Sequence, residues 1–104
     1  MESNNTWDLL PNVNNEAYTA WAKKAVGIVL QQPGLIEFRA NRNLMGTPQV
    51  RVVSVWSALS DWAKFAEETW PPLEAELRGF ATNIQAELWG PSPVVPQPLH
   101  PTAK

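Results

Sequence analysis

Two runs of alternating hydrophobicity, "LIEFRANRN" from Leu35 and "QVRVVSVW" from Gln49, stand on either side of a short break, "NLMGTP". Alternation at period two is the mark of a half-buried strand. Ile36, Phe38 and Ala40 share one face of the first run, and Glu37, Arg39 and Asn41 share the other. In the second run Val50, Val52, Ser54 and Trp56 lie on one face, with Arg51, Val53 and Val55 opposite. Gly46 and Pro48 punctuate the break, so the pair predicts an antiparallel hairpin. On both sides of this hairpin the hydrophobic period changes to that of a helix. That change constrains the fold more tightly than any compositional figure.

The helical run before the hairpin extends from Ala17 to Gln32, where Tyr18, Trp21, Ala25, Ile28 and Val29 recur on one face and Lys23 and Lys24 fall on the wet side. Asn14 or Asn15 supplies an N-cap, Glu16 suits the first turn, and Pro33-Gly34 ends the run. After the hairpin, Ser57 is the expected N-cap of a second helix with an inward stripe of Leu59, Trp62, Phe65, Ala66 and Thr69. "TWPPLEAELRGF" restarts a helical turn: Pro71 and Pro72 fit a first turn, Leu73 and Leu77 share a face, and Glu74 stands four before Arg78. "NTWDLLP" predicts a short first strand at a sheet edge, and "ATNIQAELW" a last strand ending at Gly90.

The order strand, helix, strand, strand, helix, strand is the ferredoxin-like split βαβ arrangement, an α+β fold with a four-stranded antiparallel sheet. Residues 1–91 form this single domain. Residues 92–104 take in all but the first residue of "PSPVVPQPLHP", a run that starts at Pro91; they are too rich in proline for a helix or a sheet interior and form an extended tail.

Helices on one side cover one sheet face only. The other face is expected to carry Glu37, Arg39, Arg51, Val53, Val55, Asn83, Gln85, Glu87 and Trp89. Opposite charges mixed with apolar residues suit a sheet-to-sheet homodimer, and a chain of 104 residues often gains stability by associating.

Composition removes several function classes. The absence of cysteine excludes disulfides, thiol catalysis and thiolate metal sites. A net charge of -2 argues against nucleic acid or an anionic membrane as partner. "AVGIVL" is far short of the roughly 20 apolar residues of a membrane helix. "MESNNTW" lacks the basic and apolar segments of a signal peptide, so a cytoplasmic location is expected. No His/Asp/Glu cluster has metal spacing, no phosphate-cradling glycine loop is present, and a Ser-His-Asp system would have to draw on His100 in the tail.

The order of elements, "QQPGL" between first helix and second strand, and a strand ending in "VW" before a serine together resemble the antibiotic biosynthesis monooxygenase family. The likeness runs from about Thr6 to Pro91. It implies a dimeric α+β barrel with a pocket in each subunit between sheet and helices. The best-understood members oxidise polycyclic phenols to quinones with molecular oxygen, without metal or flavin. The resemblance places Trp56 at their strand-end tryptophan, Trp62 at an aromatic position six residues on, and Arg78 at a helical arginine. Their strand asparagine, four residues before the tryptophan, is Val52 here. A haem-degrading branch of the family uses a helical histidine and a first-strand asparagine. Asn5 could stand for the latter, while His100 in the tail cannot supply the former.

The expected catalytic residues are therefore Trp56, Trp62 and Arg78, and the expected substrate pocket comprises Tyr18, Trp21, Val52 and Phe65. No cofactor and no metal are expected. The functional expectation is a cofactor-independent monooxygenase acting on a small aromatic or phenolic substrate. The alternative is a non-catalytic or differently catalytic homodimer that binds a small apolar ligand. For the aromatic stripe the simpler reading is core packing, and for Arg78 it is a surface pair with Glu74.

Overall fold

A computed structural model describes residues 1–102; Ala103 and Lys104, the end of the predicted tail, lie outside the described residues. The elements run β1 (Glu2–Leu9), α1 (Asn15–Val29), β2 (Leu35–Arg42), β3 (Val50–Trp56), α2 (Leu59–Lys64), a π-helical turn (Phe65–Thr69), α3 (Trp70–Leu77) and β4 (Ala81–Trp89). The sheet is antiparallel in the order β2-β3-β1-β4, which is the predicted ferredoxin-like topology. Among the described residues no helix is long and apolar enough to cross a membrane.

The first strand departs from expectation. β1 is longer than "NTWDLLP" and lies in the middle of the sheet, bonded to β3 on one side and β4 on the other. Its polar start, "ESNN", has weak strand propensity, but pairing on both sides satisfies its backbone groups and overrides that preference. The inward residues of β1 are Ser3, Asn5, Trp7 and Leu9, and Ser3 and Trp7 are buried.

Two irregularities decide which residues face the helices. The register of β2 against β3 shifts between Leu35 and Glu37. Leu35 and Phe38 then reach the core, and Ile36, expected inward, is 65% exposed. In β4, Asn83 has φ 55 where the register against β1 shifts between Thr6 and Asp8. Asparagine tolerates this left-handed conformation better than most residues. Its amide also donates to Asp8 across the strand at 3.2 Å.

α1 starts as predicted: the Asn14 side chain accepts from the Ala17 N–H at 3.0 Å. α2 does not. Its N-cap is Ala58, with no side-chain cap, and the Ser57 hydroxyl turns to Asp61 at 3.3 Å. Leu59, predicted inward, is 53% exposed in consequence.

Gly34 closes the α1–β2 turn at φ 85, and its carbonyl accepts from the Ser57 N–H at 2.8 Å. A Cβ there would lie 2.6 Å from the Asp61 Cβ. Gly34→Ala should therefore cost about 2 kcal/mol or more, the left-handed penalty plus the overlap. Gly27→Ala should add about 1 kcal/mol, because Gly27 is an α1 residue with nothing within 4 Å of a new Cβ. Thermal unfolding of the two variants checks both signs.

Candidate functional site

The helical layer packs on the inner sheet face in two aromatic clusters. One gathers Trp7, Trp21, Ala25, Leu73, Leu77 and Ala81; the other gathers Val29, Trp56 and Phe65, with Trp62 and Trp70 against it. Between α1, the inner faces of β1 and β3, and the end of the π-helical turn lies a cavity of about 140 Å³. Tyr18, Trp21, Ala25 and Val29 wall it from α1, Trp7, Val50 and Val52 from the sheet, and Phe65 and Trp70 from the far end. Its floor carries two polar side chains, Asn5 on β1 and Ser54 on β3. These strands are neighbours, with Asn5 opposite Val52 and Ser3 opposite Ser54, so Asn5 and Ser54 stand diagonally across the pair.

A buried indole usually finds a partner for its N–H. Trp21 donates to the Leu73 carbonyl at 3.1 Å, tying α1 to α3. Trp7 donates to the Tyr18 hydroxyl at 3.2 Å, and Trp56, 1% exposed, to the Ser54 hydroxyl at 2.8 Å. Burial raises the Tyr18 pKa above its ordinary 10.0, against a smaller lowering by the Trp7 bond, so Tyr18 is a neutral phenol at neutral pH.

The π-helical turn has a clear use. Five residues along an α-helix leave two side chains about 140° apart. Here the Trp70 N–H bonds to the Phe65 carbonyl, an i to i+5 step, and both rings enter the cavity wall with centroids 6.3 Å apart. Pro71 and Pro72 explain the widening. Neither has an N–H for the carbonyls of Glu67 and Glu68, and a proline ring clashes with the carbonyl four residues before it.

The structure brings together Tyr18, Trp21, Val52 and Phe65, all in the cavity wall. It does not bring the other three there. Trp56 fills the adjacent cluster and stands behind the wall residues Val29, Phe65 and Ser54 rather than in the cavity itself. Trp62 packs on the outside of that same cluster. Arg78 is 66% exposed and pairs with Glu74 at 2.7 Å on the helix surface. An arginine at the end of α3, one turn from its acid, has a local partner and no reason to reach the core. Trp7, Ser54 and Trp70 were not singled out for the site beforehand, although alternation marked Ser54 as inward. Trp70 could not have been placed without the π-helical turn.

No protein-family model matches the chain, and no curated protein matches its sequence. Solved structures do match. SnoaB, a cofactor-independent oxygenase from Streptomyces nogalater, superposes with a TM-score of 0.71 at 14% identity, over 92% of this chain and 96% of that one. An Arabidopsis thaliana protein solved in solution gives a TM-score of 0.74 at 10% identity, over 88% and 87%. A Bacteroides thetaiotaomicron protein described as a candidate antibiotic biosynthesis monooxygenase gives 0.65 at 14%, over 100% and 93%. The fold is thus α+β and ferredoxin-like, shared with a cofactor-independent oxygenase and with a candidate antibiotic biosynthesis monooxygenase. At these identities the likeness is one of fold.

Proposed function

We propose that this protein is a monooxygenase-type oxidoreductase that takes a small aromatic molecule into the cavity between α1 and the sheet. The observation that carries the reading is the cavity itself: about 140 Å³, walled by aromatic and aliphatic side chains, with Asn5 and Ser54 at its floor. Apolar cavities with a few convergent polar groups are the usual form of a small-molecule site. An apolar cavity of about 150 Å³ holds benzene, so the fit is to one ring. The cofactor-independent oxygenase among the similar folds supports the reaction type. With a phenol as substrate the balanced reaction joins one molecule of oxygen to one of phenol and gives a quinone and one water. The walls would strip water from the ring, and the floor would hold its oxygen.

A second reading, binding without turnover, is favoured by one observation: among the described residues no charged side chain lines the cavity. A phenolate would be buried there without a cation, which raises rather than lowers the pKa of the phenol. Oxygen uptake across a panel of phenols, hydroquinones and anthrones separates the readings. The oxygenase reading expects uptake with single-ring substrates and little with three-ring ones. Tight binding of single rings without uptake would establish the second reading.

The homodimer belongs to the same proposal. Trp89 on β4 is 53% exposed, Ile36 is 65% exposed, and the buried Asn4 Oδ1 on the outer face of β1 has no hydrogen-bond partner. Val53 shows how the face is organised: it is 2% exposed, flanked in register by Arg39 and Asn4, and Arg39 pairs with both Glu2 and Glu37. In that dimer the tail, Pro91 to Pro101, would lie extended across the partner. Trp89→Glu should weaken association at least tenfold in sedimentation equilibrium while leaving the melting temperature of the protomer near its starting value.

A further inference from the structure

Two hydroxyls in the cavity wall each accept a bond from an indole: Tyr18 from Trp7 and Ser54 from Trp56. A hydroxyl that accepts in this way still has one proton to donate. Tyr18 is half-buried and can give its proton to water. Ser54 is 6% exposed, and among the described residues its hydroxyl donates to nothing. A buried donor without an acceptor is costly, and its lowest-cost partner is whatever fills the space in front of it. That space is the cavity.

The wall also limits the acceptor. Among the described residues it has no cationic side chain, so a carboxylate or phenolate oxygen would be buried uncompensated, and a neutral oxygen would not. The volume admits one ring.

We infer that Ser54 determines specificity in this cavity: its hydroxyl, held by the Trp56 indole N–H, donates to the oxygen of a neutral single-ring ligand. Trp56 touches no ligand and is a positioning residue acting through Ser54. This rests on the cavity being a ligand site, and the test separates the two claims.

Phenol and toluene are nearly isosteric and differ in the oxygen. Both are titrated into the full chain and into Ser54→Ala, with binding followed by the indole resonances. Ser54→Ala should bind phenol roughly 3- to 10-fold more weakly, the range one net hydrogen bond supplies, and toluene within about twofold of the original. In the unsubstituted protein, phenol should move the Trp56 Nε1 proton downfield, because donation by Ser54 strengthens the bond it accepts, and toluene should not. This second measurement needs no variant to fold. Equal loss of both ligands in Ser54→Ala, an unchanged phenol affinity, or a Trp56 signal that responds equally to both would overturn the role of Ser54 and leave the cavity standing. Failure of both probes to bind the unsubstituted protein would overturn the cavity reading, and this inference with it.

Discussion

Ala25→Leu should abolish binding of a single-ring ligand without harming the fold. Ala25 sits on α1, is 6% exposed, and forms part of the cavity wall. Leucine adds three carbon atoms to a space of about 140 Å³, which leaves no room for a ring. New apolar burial contributes about 0.8 kcal/mol per methylene, so up to about 2 kcal/mol of added stability is expected if the space is empty. Titration with toluene and a thermal melt together read the result. Unchanged binding in a folded Ala25→Leu variant would place the ligand elsewhere. A drop in melting temperature would show that the space is filled by the protein itself.

Trp56→Ala should be among the most damaging single changes in the chain. Trp56 is 1% exposed, packs against Phe65 in a tilted pair at a centroid distance of 5.2 Å, and supplies the only side-chain hydrogen bond to Ser54 among the described residues. Large-to-alanine changes of this kind cost about 3–5 kcal/mol. For a domain of this size that is a fall of roughly 12 °C or more in melting temperature. Trp62→Ala should cost clearly less, because Trp62 lies on the outside of the same cluster and is only partly buried. Denaturant unfolding of the two variants gives the comparison. Equal losses would contradict the assignment of Trp56 to the core and Trp62 to its rim.

These two tryptophans show how far pattern reading reaches. Period-two alternation in β3 put Val52, Ser54 and Trp56 on the inner face, and the structure agrees. Helical period in α1 put Tyr18, Trp21, Ala25, Ile28 and Val29 inward; all but Ile28 line the cavity, and Ile28 packs, partly buried, against the first cluster. Both inferences depend only on local geometry, which a sequence carries directly. What alternation lacks is depth. It could not say that Trp56 would be consumed by its own cluster while Ser54, two residues earlier, would meet the empty space.

The failures have physical causes as well. β1 was read as a short edge strand from "NTWDLLP" and the Pro11 after it, yet it starts at Glu2 and is bonded to a neighbour on both sides. Ile36 was placed inward because a strand was assumed regular, and the register shift after Leu35 turned it out. Trp70 was not read as a site residue because "TWPP" was taken only as the restart of a helix, and the π-helical turn before Pro71 brings its ring beside Phe65. Arg78 was carried to the site by resemblance alone. Glu74, one turn away in the sequence, was the better guide to where its side chain goes.

The cavity as a ligand site is the claim on which the rest depends, and the six indole N–H resonances test it most directly. With toluene added to the unsubstituted protein, the signals of Trp7, Trp21 and Trp70, whose rings line the cavity, should shift in a saturable way. Those of Trp62 and of Trp89, on the opposite sheet face, should stay in place. Shifts confined to Trp89, or none at all up to the solubility of toluene, would contradict the account.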